Sequence, residues 1–135
     1  MTKVLVVGIG KHAQRRILPA LDSIKEVKNI FITSRTEVKN LNSDYVYLSK
    51  KEILNSDYLF DSVIISSFPS VHIENLKDFK NKSKSFLVEK PITNQIDYLK
   101  NKEFLELNKK IDIKECLMYI HHPIYSQLQE IINNW

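Results

Sequence analysis

Lys3-Val4-Leu5-Val6-Val7-Gly8-Ile9-Gly10-Lys11-His12-Ala13 is the stretch whose reading decides the fold. Val4 to Val7 form an unbroken apolar run with no polar alternation, the pattern of a strand buried on both faces in a parallel sheet. The run stops at Gly8 and Gly10, the only 2 glycines of the 135 residues. In a G-x-G-x-x-A arrangement the first glycine takes a turn that a side chain blocks, and the second lets the backbone approach a pyrophosphate. Ala13 then allows the following helix to sit close to the strand. Free amides and a positive helix end would face the phosphates, so such a site needs missing side chains rather than charged ones. The stretch reads as a dinucleotide cradle with Gly8, Gly10, Lys11, His12 and Ala13 as its contacts; the plainer alternative is an ordinary strand-turn-helix corner.

Beyond Lys11, Ile17, Leu18, Leu21 and Ile24 recur near the helical period, and Pro19 is expected to kink or shorten that helix. Residues 29–33 read as a second buried strand, which completes a strand-helix-strand unit within about thirty residues. A carboxylate at the end of this strand would accept from the adenosine ribose 2′-hydroxyl. Ser34, Arg35 and Thr36 stand there instead, a set suited to a 2′-phosphate, which leans the cofactor towards NADP over NAD. The plainer reading of Arg35 is an exposed loop arginine.

The alternation continues through Tyr45-Val46-Tyr47-Leu48, a short strand, and a capping box from Ser49 to Glu52 that opens a brief helix. Residues 62–66 form another two-sided strand. The following loop, residues 67–72, leads into a helix carrying Ile73, Leu76 and Phe79. Ligands of open α/β folds bind at the carboxyl ends of the strands, which makes Ser67, Pro69 and His72 candidate cofactor contacts. Taken alone, His72 reads more simply as a helix-start residue satisfied by nearby backbone. Residues 85–88 make the next strand, closed by Glu89-Lys90-Pro91. A lysine buried at a strand mouth loses solvation and becomes a usable acid or base, and Pro91 keeps Lys90 extended. The bland alternative is an exposed charged pair. Residues 111–118 give a last strand, and Ile124, Leu128, Ile131 and Ile132 mark an amphipathic helix. Together these elements predict one doubly wound α/β domain over residues 1–135, with a mainly parallel sheet of about six strands.

The net charge of +4 comes from lysines dispersed along the chain, without the clustered, aromatic-interleaved stripe of a nucleic-acid surface. No apolar run approaches the ~20 residues of a membrane span, and the first strand begins at once, leaving no room for a signal peptide. Cys116, the single cysteine, reads as a small buried hydrophobe, and the expected compartment is the cytoplasm. His121 and His122 are adjacent, so their side chains diverge, and no Cys, Asp or Glu nearby completes a metal site.

Gly8-Ile9-Gly10-Lys11-His12-Ala13, Pro69 with His72 three residues on, and Glu89-Lys90-Pro91 resemble, in this order and spacing, the N-terminal Rossmann domain of the glucose-fructose oxidoreductase/inositol dehydrogenase (Gfo/Idh/MocA) family. The resemblance covers nearly the whole chain. It implies NADP or NAD as cofactor, a sugar, polyol or nucleotide-sugar as substrate, and hydride transfer at a hydroxyl-bearing carbon. It also implies that Lys90 contacts the substrate and assists proton transfer, that Glu89 positions the lysine beside the cofactor, and that Pro69 and His72 lie by the cofactor. Two departures stand out. Family members often carry an arginine in the segment from Tyr119 to Pro123, where this chain has Ile120 or a histidine. The sequence also stops at Trp135, where the family continues into a second α/β domain that walls the substrate site. The expectation is therefore a cofactor domain without turnover of its own, whether a fragment or a short protein completed by a complementary C-terminal domain or by a homo-oligomer. The alternative is a non-enzymatic dinucleotide sensor or partner-binding module.

Overall fold

The computed structural model describes residues 2–36, 38, 41–95 and 102–134. Six strands, all parallel, form one sheet: β1 (Thr2–Val7), β2 (Val27–Thr33), β3 (Val46–Tyr47), β4 (Ser62–Ile65), β5 (Ser85–Val88) and β6 (Asp112–Glu115), in the spatial order β3-β2-β1-β4-β5-β6. The chain thus builds outward from β1 in one direction, then returns and builds outward in the other. That reversal leaves a crevice between the carboxyl ends of β1 and β4, where open α/β sheets bind ligands.

The apolar run of β1 is buried on both faces. Leu5 and Val7 join Phe31, Val63, Ile65, Phe86 and Val88 on one face. Val4 and Val6 join Ile30, Ile32 and Ile64 on the other. Helices α2 (Lys50–Asn55), α3 (His72–Phe79) and α4 (Lys102–Lys110) cover the first face through Ile53, Ile73, Leu76, Phe79, Phe104 and Leu107. The Ser49–Glu52 capping box is formed in both directions and fixes the start of α2. Helix α4 was not expected from the sequence. Phe104 and Leu107, one turn apart, are its only buried residues, too short a pattern to stand out among its lysines and glutamates.

The second face is covered by α1 (Leu18–Asp22), which buries Leu18 and Leu21. Pro19 interrupts the helix that runs on from Lys11: Ala13–Ile17 form a π-helical turn, closed by Leu18 N–H donating to the Ala13 carbonyl, and Pro19 follows in the first turn of α1. The wider turn accommodates the amide missing from the ladder and the bulk of the ring. The helix then ends at Asp22, and Ile24, expected on its apolar stripe, lies beyond it and is exposed. The short strand expected at residues 45–48 contracts to β3, while the Tyr45 hydroxyl donates to Asp22. The last helix, α5 (Pro123–Asn133), buries none of its residues. Trp135 lies outside the described residues.

Gly8 sits at φ +91°, and a Cβ built on it would lie 2.7 Å from both the Cα and the N of Ser67. A Cβ on Gly10 would meet nothing within 4 Å. Gly8→Ala should therefore lower stability by about 2–4 kcal/mol, from the disfavoured dihedral and the overlap with backbone. Gly10→Ala should stay within about 1 kcal/mol of the parent. Urea unfolding of the three proteins checks this; equal midpoints for the two variants would contradict it.

Candidate functional site

The candidate residues meet at the carboxyl edge of β1, β4 and β5. Gly8 N–H donates to the Thr33 carbonyl (2.8 Å), Ser66 N–H to Val7 (2.8 Å) and Glu89 N–H to Ile65 (2.8 Å). These bonds lock the ends of neighbouring strands together just where the sheet stops. After the glycines the backbone ladder starts with Gln14 N–H on the Gly10 carbonyl (3.1 Å), so the amides before it open from the helix end. Gln14 Nε2 also donates to the Ile9 carbonyl (3.1 Å), which fixes the turn. Ala13 is fully buried, as close strand-helix packing requires, while Lys11 and His12 are exposed.

Glu89 is held from two directions. Its Oε1 lies 3.1 Å from His12 Nε2 and its Oε2 accepts from Lys90 N–H at 3.3 Å, while the charge of the carboxylate acts on the Cys116 thiol. The Glu89 carboxylate turns towards the glycine turn, and its hydrogen bond to Lys90 is to the backbone amide. Lys90 is not buried at the strand mouth: it is exposed, and no carboxylate lies within ion-pair distance of its ammonium among the described residues. The Lys90–Pro91 peptide is cis. Beyond it, Ile92 N–H donates to Glu115 Oε1 (2.7 Å), tying this turn to the end of β6.

His72 is fully buried, with Nε2 2.9 Å from the Ser67 carbonyl and Nδ1 3.0 Å from the Pro91 carbonyl. It braces the loop after β4 against the turn after β5. Asn75 Nδ2 donates to Ser67 Oγ (3.0 Å) and adds a second brace. Pro69 is half-buried at the start of a 3₁₀ turn, Pro69–Val71. At the end of β2, Arg35 and Thr36 are exposed, and the Ser34 carbonyl accepts from the Tyr47 hydroxyl (3.3 Å). In the segment where an arginine was sought, Tyr119 and Ile120 are exposed and His122 Nδ1 accepts from Ile124 N–H, capping α5. Among the described residues no group of three or more His, Cys, Asp or Glu is gathered to hold a metal ion.

Sequence reasoning missed Cys116 and Glu115. Both lie at the end of β6, whose register pairs Val88 with Glu115 and so brings them beside Glu89. Cys116 is half-buried rather than buried, and its thiol is pushed up to about 11, by desolvation first and then by the charge and hydrogen bond of Glu89 and the charge of Glu115.

Residues 2–122 match the Gfo/Idh/MocA oxidoreductase family, described as having an NAD-binding Rossmann fold, and the chain belongs to this family. A dTDP-3,4-didehydro-2,6-dideoxy-alpha-D-glucose 3-reductase from Saccharopolyspora spinosa is 22% identical, the match covering 98% of this chain and 41% of the relative. Among solved structures, scyllo-inositol dehydrogenase from Lactobacillus casei with NAD(H) and scyllo-inositol bound has a TM-score of 0.78 at 18% identity, covering 99% of this chain and 41% of that one. A 3-ketoreductase from Actinomadura kijaniata in complex with NADP and TDP-benzene has a TM-score of 0.76 at 22% identity, covering 98% and 42%. The structural likeness shows the shared Rossmann fold, and the chain spans about two-fifths of the length of these relatives. No helix among the described residues is long and apolar enough to cross a membrane.

The thiolate is the reactive form of cysteine, so Cys116 should alkylate slowly with iodoacetamide at pH 8 and accelerate as pH rises towards about 11. Glu89→Gln removes a charge that holds the proton on sulfur and should shift that rise to lower pH. Mass-spectrometric alkylation rates across pH check both. A rate at pH 8 equal to that of a free thiol peptide would contradict the described packing.

Proposed function

We propose that this chain is the cofactor-binding part of an NAD(P)-dependent oxidoreductase acting at a hydroxyl-bearing carbon of a sugar, polyol or nucleotide-sugar. The observation that carries the reading is the convergence, at one crevice, of a glycine turn with an open helix end and the Glu89-Lys90 pair, joined by the His12–Glu89 contact at 3.1 Å. The space above Gly10 fits a pyrophosphate: a Cβ there would project into it without touching protein. In this reading Gly8 shapes the turn, and the backbone of Gly10, Lys11 and His12 holds the phosphates. Ala13 keeps the helix close, and the loop of Ser67 and Pro69, braced by His72, lines the crevice.

A bound nicotinamide ring supplies the hydride acceptor or donor. The chain's own task is to move the accompanying proton at the substrate oxygen, and Lys90 is the group assigned to it. An exposed ammonium with no carboxylate partner among the described residues is open to a substrate hydroxyl, whereas burial around it has to come from substrate or from residues beyond these 135. The relatives' greater length supports that second source, so turnover is assigned to a larger assembly than this chain. Arg35, exposed beside Ser34 and Thr36, is the proposed anchor of a 2′-phosphate, which makes NADP the preferred form.

Titration calorimetry of NADP and NAD into the parent, Gly10→Val and Arg35→Ala tests both parts. Gly10→Val should abolish binding of either nucleotide while leaving the fold intact. Arg35→Ala should weaken NADP by about 1.5–3 kcal/mol and leave NAD nearly unchanged. Unchanged affinity in Gly10→Val would remove the cradle; a parent that prefers NAD would remove the 2′-phosphate anchor.

A further inference from the structure

We infer that His72 is a buried imidazolium whose two ring N–H groups donate to the loop after β4 and to the turn after β5, which makes it the positioning residue for the turn that carries Lys90. The residue is fully buried, with Nε2 2.9 Å from the Ser67 carbonyl oxygen and Nδ1 3.0 Å from the Pro91 carbonyl oxygen. A carbonyl oxygen only accepts. A neutral imidazole has one N–H and one lone pair, so it satisfies one of these carbonyls and turns its lone pair on the other; the imidazolium satisfies both. Two acceptors facing each other with no proton between them is an arrangement that burial penalises.

A buried cation needs a counter-charge, and one stands a single peptide away. The Pro91–Ile92 peptide is bonded at both ends: its carbonyl accepts from His72 Nδ1, and its N–H donates to Glu115 Oε1 at 2.7 Å. A carboxylate on the N–H draws electron density towards the carbonyl oxygen and makes it a stronger acceptor for a charged donor. His72 is also the first residue of α3, whose positive end disfavours a cation, but two charge-assisted bonds and a polarised peptide outweigh one end of an eight-residue helix. On the other side Ser67 is held twice, its carbonyl by His72 and its Oγ by Asn75 Nδ2 at 3.0 Å, while Lys50 Nζ donates to Asn75 Oδ1 at 3.3 Å and fixes that amide. The consequence for chemistry rests on the proposed function. Ser67 belongs to the loop assigned to the cofactor crevice, and Pro91 follows Lys90 directly, so the charged ring fastens the cofactor side of the site to the turn of the proton-moving lysine.

The test needs no cofactor and uses this chain as it stands. Nitrogen resonances of the imidazole rings in isotopically labelled chain are recorded at pH 7.5, where an ordinary imidazole is about nine-tenths neutral, and His72 is assigned through bonds to its own backbone. Both of its nitrogens should show the protonated-type shift. Glu115→Gln keeps an oxygen for the Ile92 amide but not the charge, and should convert part of the His72 population to the neutral form at the same pH. His72→Gln cannot donate from both ends, and should move the amide resonances that follow the two carbonyls, those of Phe68 and Ile92, together. A pyridine-type nitrogen on His72 in the parent would overturn the imidazolium, whether or not either variant folds. A Glu115→Gln ring spectrum identical to the parent's would overturn the counter-charge, and changes on one side only in His72→Gln would overturn the bridge. A parent that fails to bind dinucleotide would instead overturn the proposed function and leave the ring-nitrogen shifts as they are.

Discussion

Gly8 lies so near the backbone of Ser67 that a Cβ on it would come within 2.7 Å. Everything else at the crevice depends on it. β1 and β4 are adjacent parallel strands, and their carboxyl ends can close on one another only if the first residue after β1 has no side chain and tolerates a positive φ. Because the turn is that tight, the helix that follows starts directly over the sheet, with Ala13 fully buried against it. Because that helix starts there, His12 reaches the end of β5. A single backbone constraint thus places the open amides of the helix end, the Glu89 carboxylate and the Lys90 turn at one edge of the sheet.

The second glycine is present for a different reason. Nothing in the fold requires Gly10, since a side chain there would enter open space. In the proposed function its place is explained by the ligand, whose pyrophosphate a side chain there would meet. The two glycines then separate into one that the architecture needs and one that the proposed ligand needs.

The architecture was legible because parallel strands buried on both faces leave continuous apolar runs, and four of the six strands carry one; edge strand β6 alternates as Asp112-Ile113-Lys114-Glu115, and β3 is only two residues long and exposed. The details that escaped depend on contacts distant in sequence. The widening at Ala13–Ile17 that seats Pro19 is a backbone response to the proline's missing amide and bulk, and no residue pattern announces it. The burial of His72 follows from two carbonyls, one of them 19 residues away. The partners of Glu89 are 77 and 27 residues distant, at positions 12 and 116, and only the strand order brings them together. Local spacing identified Glu89 and Lys90 as a pair, but that Glu89 is half-buried against His12 while Lys90 is exposed follows from tertiary packing.

The central claim is that the turn at Gly8 and Gly10 receives the pyrophosphate of a nicotinamide dinucleotide. Backbone amide shifts of isotopically labelled chain, followed during titration with NADPH, test it most directly. The account predicts saturable changes concentrated at Gly10, Lys11, His12 and Ala13, with smaller ones at Ser67 and Arg35 and none in α4 or β6 beyond Cys116. Shifts scattered over the exposed lysines, or none at the glycine turn at saturating nucleotide, would contradict it.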